Sequence, residues 1–76
     1  MEISIFLQNF LEILEDTDPS LINPNTVFRD LEEWDSLTAL SLIAMVDEEY
    51  SLKLTGDDIK KSATLQDIFN ILNYKK

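Results

Sequence analysis

Residues 33–50 read EWDSLTALSLIAMVDEEY, and this stretch decides the fold. Ala39, Leu40, Leu42, Ile43, Val46 and Tyr50 recur at spacings of three and four, which predicts a helix over 36–50 with those side chains as its buried stripe. Asp35 or Ser36 can cap its start, because either side-chain oxygen can accept a hydrogen bond from a free backbone N–H. A regular helix of this length is the element against which the rest of a small chain must bury its apolar faces.

Upstream, Ile3, Phe6, Leu7, Phe10 and Leu14 share one helical face, widened by Ile5, Leu11 and Ile13, and predict a helix over about 2–15. Asp18-Pro19-Ser20 ends any helix. Residues 17–35 then read as a long ordered loop, with turn signals at Asp18-Pro19 and Asn23-Pro24-Asn25 and a short helical turn near 20–22. Leu21, Ile22, Val27, Phe28 and Leu31 are apolar anchors that hold this loop on the core. Downstream, Gly56 marks a turn before a brief helix at about 57–61, started by Asp57 and Asp58. Thr64-Leu65-Gln66-Asp67 places an N-cap threonine three residues before an acid, close to a capping box. Leu65, Ile68, Phe69 and Leu72 form the face of a last helix ending near residue 73. No alternating strand pattern competes. The expectation is a single all-α domain over 1–76, a small bundle of three main helices plus one short helix. Leu40, Ile43, Val46, Ile59, Ile68 and Leu72 are expected in its core.

Composition removes several function classes. The 76 residues contain no cysteine and no histidine. Disulfides, thiolate catalysis and cysteine-ligated zinc are excluded, as are the commonest general base and transition-metal ligand. The absence of disulfide staples in so short a chain, and of a basic start to Met1-Glu2-Ile3-Ser4-Ile5, leads to the expectation of a cytoplasmic protein. Fifteen acids against six bases give a net charge of −9. The imbalance is concentrated in residues 1–50, where twelve acids face only Arg29, a balance of −11; residues 51–76 hold three acids and five lysines, a balance of +2. Such a field repels nucleic acid and anionic membranes and favours basic protein surfaces.

Ser36 is the residue whose setting points to chemistry. It sits where an acidic loop gives way to the central helix. A serine nucleophile needs a neighbouring base with an orienting partner, and this chain offers no histidine and only solvated lysines. A self-contained hydrolase does not follow. A serine can instead be the acceptor in another enzyme's active site, which requires exposure, a rigid local frame and a docking surface. Taken alone, Asp35-Ser36-Leu37 is ordinarily a helix cap.

The surrounding sequence resembles the acyl carrier protein family over nearly the whole chain, from the first helix to Leu72. The resemblance rests on Val27-Phe28-Arg29-Asp30-Leu31, on Trp34-Asp35-Ser36-Leu37, on the apolar helix from Leu40 that ends in Asp47-Glu48-Glu49-Tyr50, and on Thr64-Leu65-Gln66-Asp67. It implies that Ser36 carries a covalent 4'-phosphopantetheine donated by coenzyme A, that Asp35 and Leu37 belong to the surface read around it, and that Asp47 and Glu48 contact Arg or Lys of partner enzymes. It also implies a monomeric carrier rather than an enzyme, served by a phosphopantetheinyl transferase and by enzymes that load or transfer acyl or aminoacyl groups in fatty acid, lipid or specialised metabolite biosynthesis. The chain departs from the family at Glu32-Glu33-Trp34, where a glycine is common, and at Thr38 and Ser41, where acids are common. Lys53 and Ser62 replace residues that are more often acidic or polar and large and apolar, respectively. These departures suggest a dedicated carrier of a specialised pathway. Trp34 either packs the loop or faces partners, and packing is the favoured role. The competing reading is an acidic helical interaction module in which Ser36 only caps; a calcium site is not supported, since no Asp-x-Asp-x-Asp-Gly loop is present.

Overall fold

In the computed structural model, which describes residues 2–76, the chain forms α1 (Ile3–Glu12), α2 (Ser36–Tyr50), α3 (Gly56–Lys61) and α4 (Leu65–Lys75), with 3-10 turns at Pro19–Leu21 and Phe28–Asp30. This is the expected all-α bundle of three main helices and one short one. One isolated antiparallel bridge joins Val27 to Thr64.

α1 buries Phe6 and Phe10, one turn apart. It ends at Glu12 and not near residue 15. The N–H groups of Glu15 and Asp16, which a continued helix would give to carbonyls four residues back, donate instead to the Glu33 carboxylate at 2.7 and 2.9 Å. Ile13 and Leu14 close the helix with tighter bonds to the Phe10 and Leu11 carbonyls. Acids near the end of α1, with no base in its last turn, also oppose its extension through the macrodipole. The following loop starts with Asp18 accepting from the Ser20 N–H, so the first 3-10 turn begins at Pro19. Its far end is held by α4: Leu65 and Gln66 N–H, donors that a helix start leaves free, bond to the Thr26 and Pro24 carbonyls.

α3 starts one residue earlier than the sequence suggests. Thr55 is its N-cap, and Thr55 and Asp58 exchange side-chain and backbone bonds in a full capping box. Gly56 is the first helical residue, not a turn. Thr64 and Asp67 build the same box at α4. Replacing Thr64 by alanine is expected to lower stability by about 1 kcal/mol, read as a shift in the urea midpoint with unchanged slope.

The core is formed by Phe6, Phe10, Phe28, Leu42, Val46, Leu65, Ile68 and Leu72, all fully buried, with Met45, Leu54, Ile59 and Phe69 beside them. Leu40 is a correction: it is 61% exposed. α2 is apolar nearly all round, so spacing alone did not fix which leucine faces in. Leu42, Met45 and Val46 are its buried residues, while Leu37, Leu40 and Ala44 lie on the outer face. Ile43 is only half-buried against the core.

Arg29, the one base of the first fifty residues, donates to the Ser62 and Ile59 carbonyls. It thereby satisfies carbonyls at the C-terminal end of α3 with a positive charge where the helix dipole favours one. Its guanidinium also lies 4.9 Å from the centre of the Phe28 ring. Ser62 is buried, but its hydroxyl donates to the Asp58 carbonyl at 2.9 Å. A polar residue is therefore satisfied at a place where the resemblance leads one to look for an apolar one. Lys75 is not simply solvated, since it pairs with Asp58 at 3.1 Å.

Candidate functional site

Ser36 is the first residue of α2, and the residue that caps the helix is Asp35. Its carboxylate accepts from the Thr38 N–H at 2.8 Å and its carbonyl accepts from the Ala39 N–H at 3.0 Å. The Thr38 N–H holds the Asp35 carboxyl below its usual range, with the Thr38 hydroxyl second; slight burial opposes them and the Leu37 N–H adds a smaller share. The Ser36 side chain is exposed and is not needed for the cap. The backbone N–H groups of Ser36 and Leu37 start the helix, where no carbonyl lies four residues back within it.

The loop that delivers Ser36 is fixed from three sides. Trp34 lies between two buried rings, 4.8 Å from Phe28 edge-on and 6.5 Å from Phe10. Packing is thus its role, as the sequence reading had it. Thr38, where an acid is common in the resembled family, sends its hydroxyl back to the Glu33 carbonyl at 2.7 Å. Glu33 binds the end of α1 through the Glu15 and Asp16 N–H groups and the Thr17 hydroxyl. Sequence reasoning noted Glu33 and Thr38 only as departures from the resembled family, and no local pattern marks a carboxylate that bonds a segment sixteen to eighteen residues earlier.

The Thr17 hydroxyl and then the Glu15 N–H hold the Glu33 carboxyl below the ordinary glutamate range; slight burial works against them and the Asp16 N–H adds to them. A depressed folded-state value means that ionised Glu33 stabilises the fold above its unfolded-state value of about 4.3, and that this contribution is lost as pH falls through the folded value. Glu33→Gln is therefore expected to melt below the wild type near neutrality, with the gap closing in acid below about pH 4. Melting temperature against pH for both proteins checks this.

The phosphopantetheine attachment site family matches residues 5–72, nearly the whole chain. The chain belongs to this family. It is also 29% identical over 58 residues to an acyl carrier protein of Thermosynechococcus vestitus, an alignment covering 76% of this chain and 72% of that protein. No solved structure matches it. The family is defined by a covalently attached 4'-phosphopantetheine, so the protein is a carrier and not a catalyst.

The residues at the start of α2 fit that group. An exposed hydroxyl stands on the first turn of a fifteen-residue helix, whose free N–H groups and positive dipole end favour a phosphate. Beside it lies an open cleft of about 320 Å³ whose lining includes Ile13, Glu15, Glu33, Asp35, Leu37, Thr38 and Ser41. Asp35, Ser36 and Leu37 are thus neighbours at one end of α2, with Leu37 73% exposed. Asp47 and Glu48 are exposed near the other end, about 17 Å away at 1.5 Å per residue. Leu40 and Ala44 lie on the outer side of α2 between the two groups. Among the described residues no cluster could hold a metal, and no helix is long and apolar enough to cross a membrane.

Proposed function

We propose that Ser36 bears the 4'-phosphopantetheine through a phosphodiester and that the carrier transports acyl or aminoacyl groups as thioesters on it. The observation that supports this most is the division of labour at the start of α2, where Asp35 caps the helix and leaves the Ser36 hydroxyl exposed. In loading, Ser36 Oγ attacks the phosphorus of the coenzyme A pyrophosphate that bears the pantetheine. The new Oγ–P bond replaces the anhydride bond, the nucleotide part of coenzyme A leaves, and the serine proton passes to a base of the transferase. The bound group then supplies the thiol that the chain itself lacks.

Asp35 and Leu37 form the immediate surround that the transferase reads. Asp47 and Glu48 meet Arg or Lys of acyl-handling enzymes. The replacement of acids by Thr38 and Ser41 favours a dedicated carrier of a specialised pathway over a general fatty acid carrier. The reading extends to a single monomeric carrier domain over the 76 residues that acts in the cytoplasm, binds no nucleic acid and does not insert into membranes. Intact mass after incubation with coenzyme A and a broad-specificity phosphopantetheinyl transferase tests the assignment. One added group, placed on Ser36 by peptide mapping, supports it. No gain in folded protein, with the transferase active on a control carrier, leaves Ser36 as an ordinary first residue of α2.

A further inference from the structure

Residues 33–38 form a closed ring at the start of α2. The Thr38 hydroxyl donates to the Glu33 carbonyl at 2.7 Å, and within that ring the Thr38 N–H donates to the Asp35 carboxylate at 2.8 Å. Glu33, Trp34 and Thr38 are half-buried, whereas Asp35, Ser36 and Leu37 between them are exposed. The ring thus presents three residues and stands on the others. Glu33 holds it in two ways. Its carbonyl closes the ring, while its carboxylate accepts from the Glu15 and Asp16 N–H groups and the Thr17 hydroxyl. Those donors lie just after α1, and Ile13 and Glu15 of the same stretch line the cleft beside Ser36 together with Asp35, Leu37 and Thr38. One side chain therefore sets how the end of α1 and the first turn of α2 sit against each other.

We propose that Glu33 is a positioning residue for the loading reaction, fixing Ser36 Oγ by tying residues 15–17 to the ring that carries it. The need for such a tie is physical. The first turn of a helix lacks carbonyl partners for its N–H groups and is where a helix opens first. Ser36 and Leu37 lie in that turn. The Asp35 cap holds the turn from within, and Trp34 holds the preceding loop through Phe28 and Phe10. Only Glu33 holds it from the side of residues 15–17. A hydroxyl that must attack phosphorus in another protein's active site has to stand at one place when the two proteins are docked, and a misplacement of about 1 Å can cost about a hundredfold in rate. Asp47 and Glu48 take no part in these bonds, so docking through them does not depend on Glu33.

The proposal rests on Ser36 being the loaded residue, and its test separates the two. Initial rates of phosphopantetheine transfer from coenzyme A by a broad-specificity transferase are followed by intact mass across a range of carrier concentrations. The wild type is compared with Glu33→Ala, Thr17→Val, the two combined, and Thr64→Ala. The split between KM and kcat distinguishes positioning from stability. Partial unfolding only dilutes the competent carrier, which raises the apparent KM and leaves kcat alone. A displaced Ser36 in a folded, docked carrier lowers kcat. Glu33→Ala is expected to lower kcat about tenfold with KM within about twofold of the wild type, and Thr17→Val to lower kcat about threefold. The double variant should match Glu33→Ala within about twofold, because both changes remove the same link. Thr64→Ala removes a cap whose bonds lie outside residues 33–38 and should keep the wild-type kcat. Thr17→Val leaves Glu33 and its two backbone donors in place and decides the matter if Glu33→Ala does not fold. An unchanged kcat in folded Glu33→Ala, an equal fall in Thr64→Ala, or losses that multiply in the double variant overturn the positioning role and leave Ser36 as the loaded residue. Absence of loading in the wild type, with the transferase active on a control carrier, overturns the Ser36 assignment, and the role of Glu33 falls with it.

Discussion

Ser36→Ala is expected to give a folded protein that gains no phosphopantetheine at all. The two halves of that result have separate causes. Loss of loading is expected to be complete because Ser36 offers the exposed hydroxyl on the first turn of α2, whereas the nearby Thr38 hydroxyl is engaged with the Glu33 carbonyl. Three other serines are in settings unlike that of Ser36. Ser62 is buried with its hydroxyl bonded to Asp58, Ser51 sits at the opposite end of α2 in a left-handed conformation, and Ser41 lies more than a turn into the helix. Retention of the fold follows from Asp35. Because Asp35 holds the cap, removing one exposed hydroxyl at the first helical position changes stability by no more than about 0.5 kcal/mol, and alanine is itself a strong helix former. The measurement pairs intact mass after transferase treatment with a thermal melt. A variant that melts like the wild type and stays unloaded gives the expected result. A variant that still gains the group places the attachment elsewhere in the chain.

The sequence made α2 legible to the residue, and the reason is local: an acid-serine start, a periodic run and an aromatic end lie within one stretch. The final helix was legible through Thr64 and Asp67, whose capping box is a four-residue pattern. What escaped was either degenerate or distant. Leu40 was assigned to the core because apolar residues surround α2, and a leucine at one spacing looks like a leucine at the next; only the position of the other helices decides that Leu42 and Met45 face in and Leu40 faces out. The end of α1 was placed about three residues too late because its apolar pattern continues through Leu14, while the acceptor that stops it, Glu33, comes from the loop before Ser36. The contacts of Arg29 with Ile59 and Ser62 span thirty or more positions and leave no local trace. At the candidate site the residue proposed for attachment, Ser36, was visible from its neighbours in sequence. Its frame of Glu33, Thr38 and the stacked Trp34 was only partly visible, because that frame is tertiary.

Phe28→Ala is expected to have the largest effect on stability. The ring is fully buried, and truncating a buried phenylalanine costs about 3–5 kcal/mol. At roughly 0.05–0.15 kcal/mol per residue, a domain of this size has only about 4–11 kcal/mol in total. The variant should therefore sit close to its unfolding limit, with a melting temperature at least about 12 °C lower. The position makes relaxation difficult. Phe28 supports Trp34 edge-on, Trp34 stacks on Phe10 of α1, and the guanidinium of Arg29 lies over the Phe28 ring while bonding the end of α3. A cavity here loosens α1, the loop and α3 together, and it lies two residues in chain from Ser36 by way of Trp34. Loading should consequently slow in the folded fraction as well. Phe28→Leu, which keeps an apolar side chain in the site, should lose much less of both. Urea unfolding followed by fluorescence of Trp34, the single tryptophan of the chain, reports directly on this contact. A loss below 1 kcal/mol for Phe28→Ala would show that the loop before Ser36 is held by Glu33 and Thr38 without the ring, and loading would then follow those two residues instead.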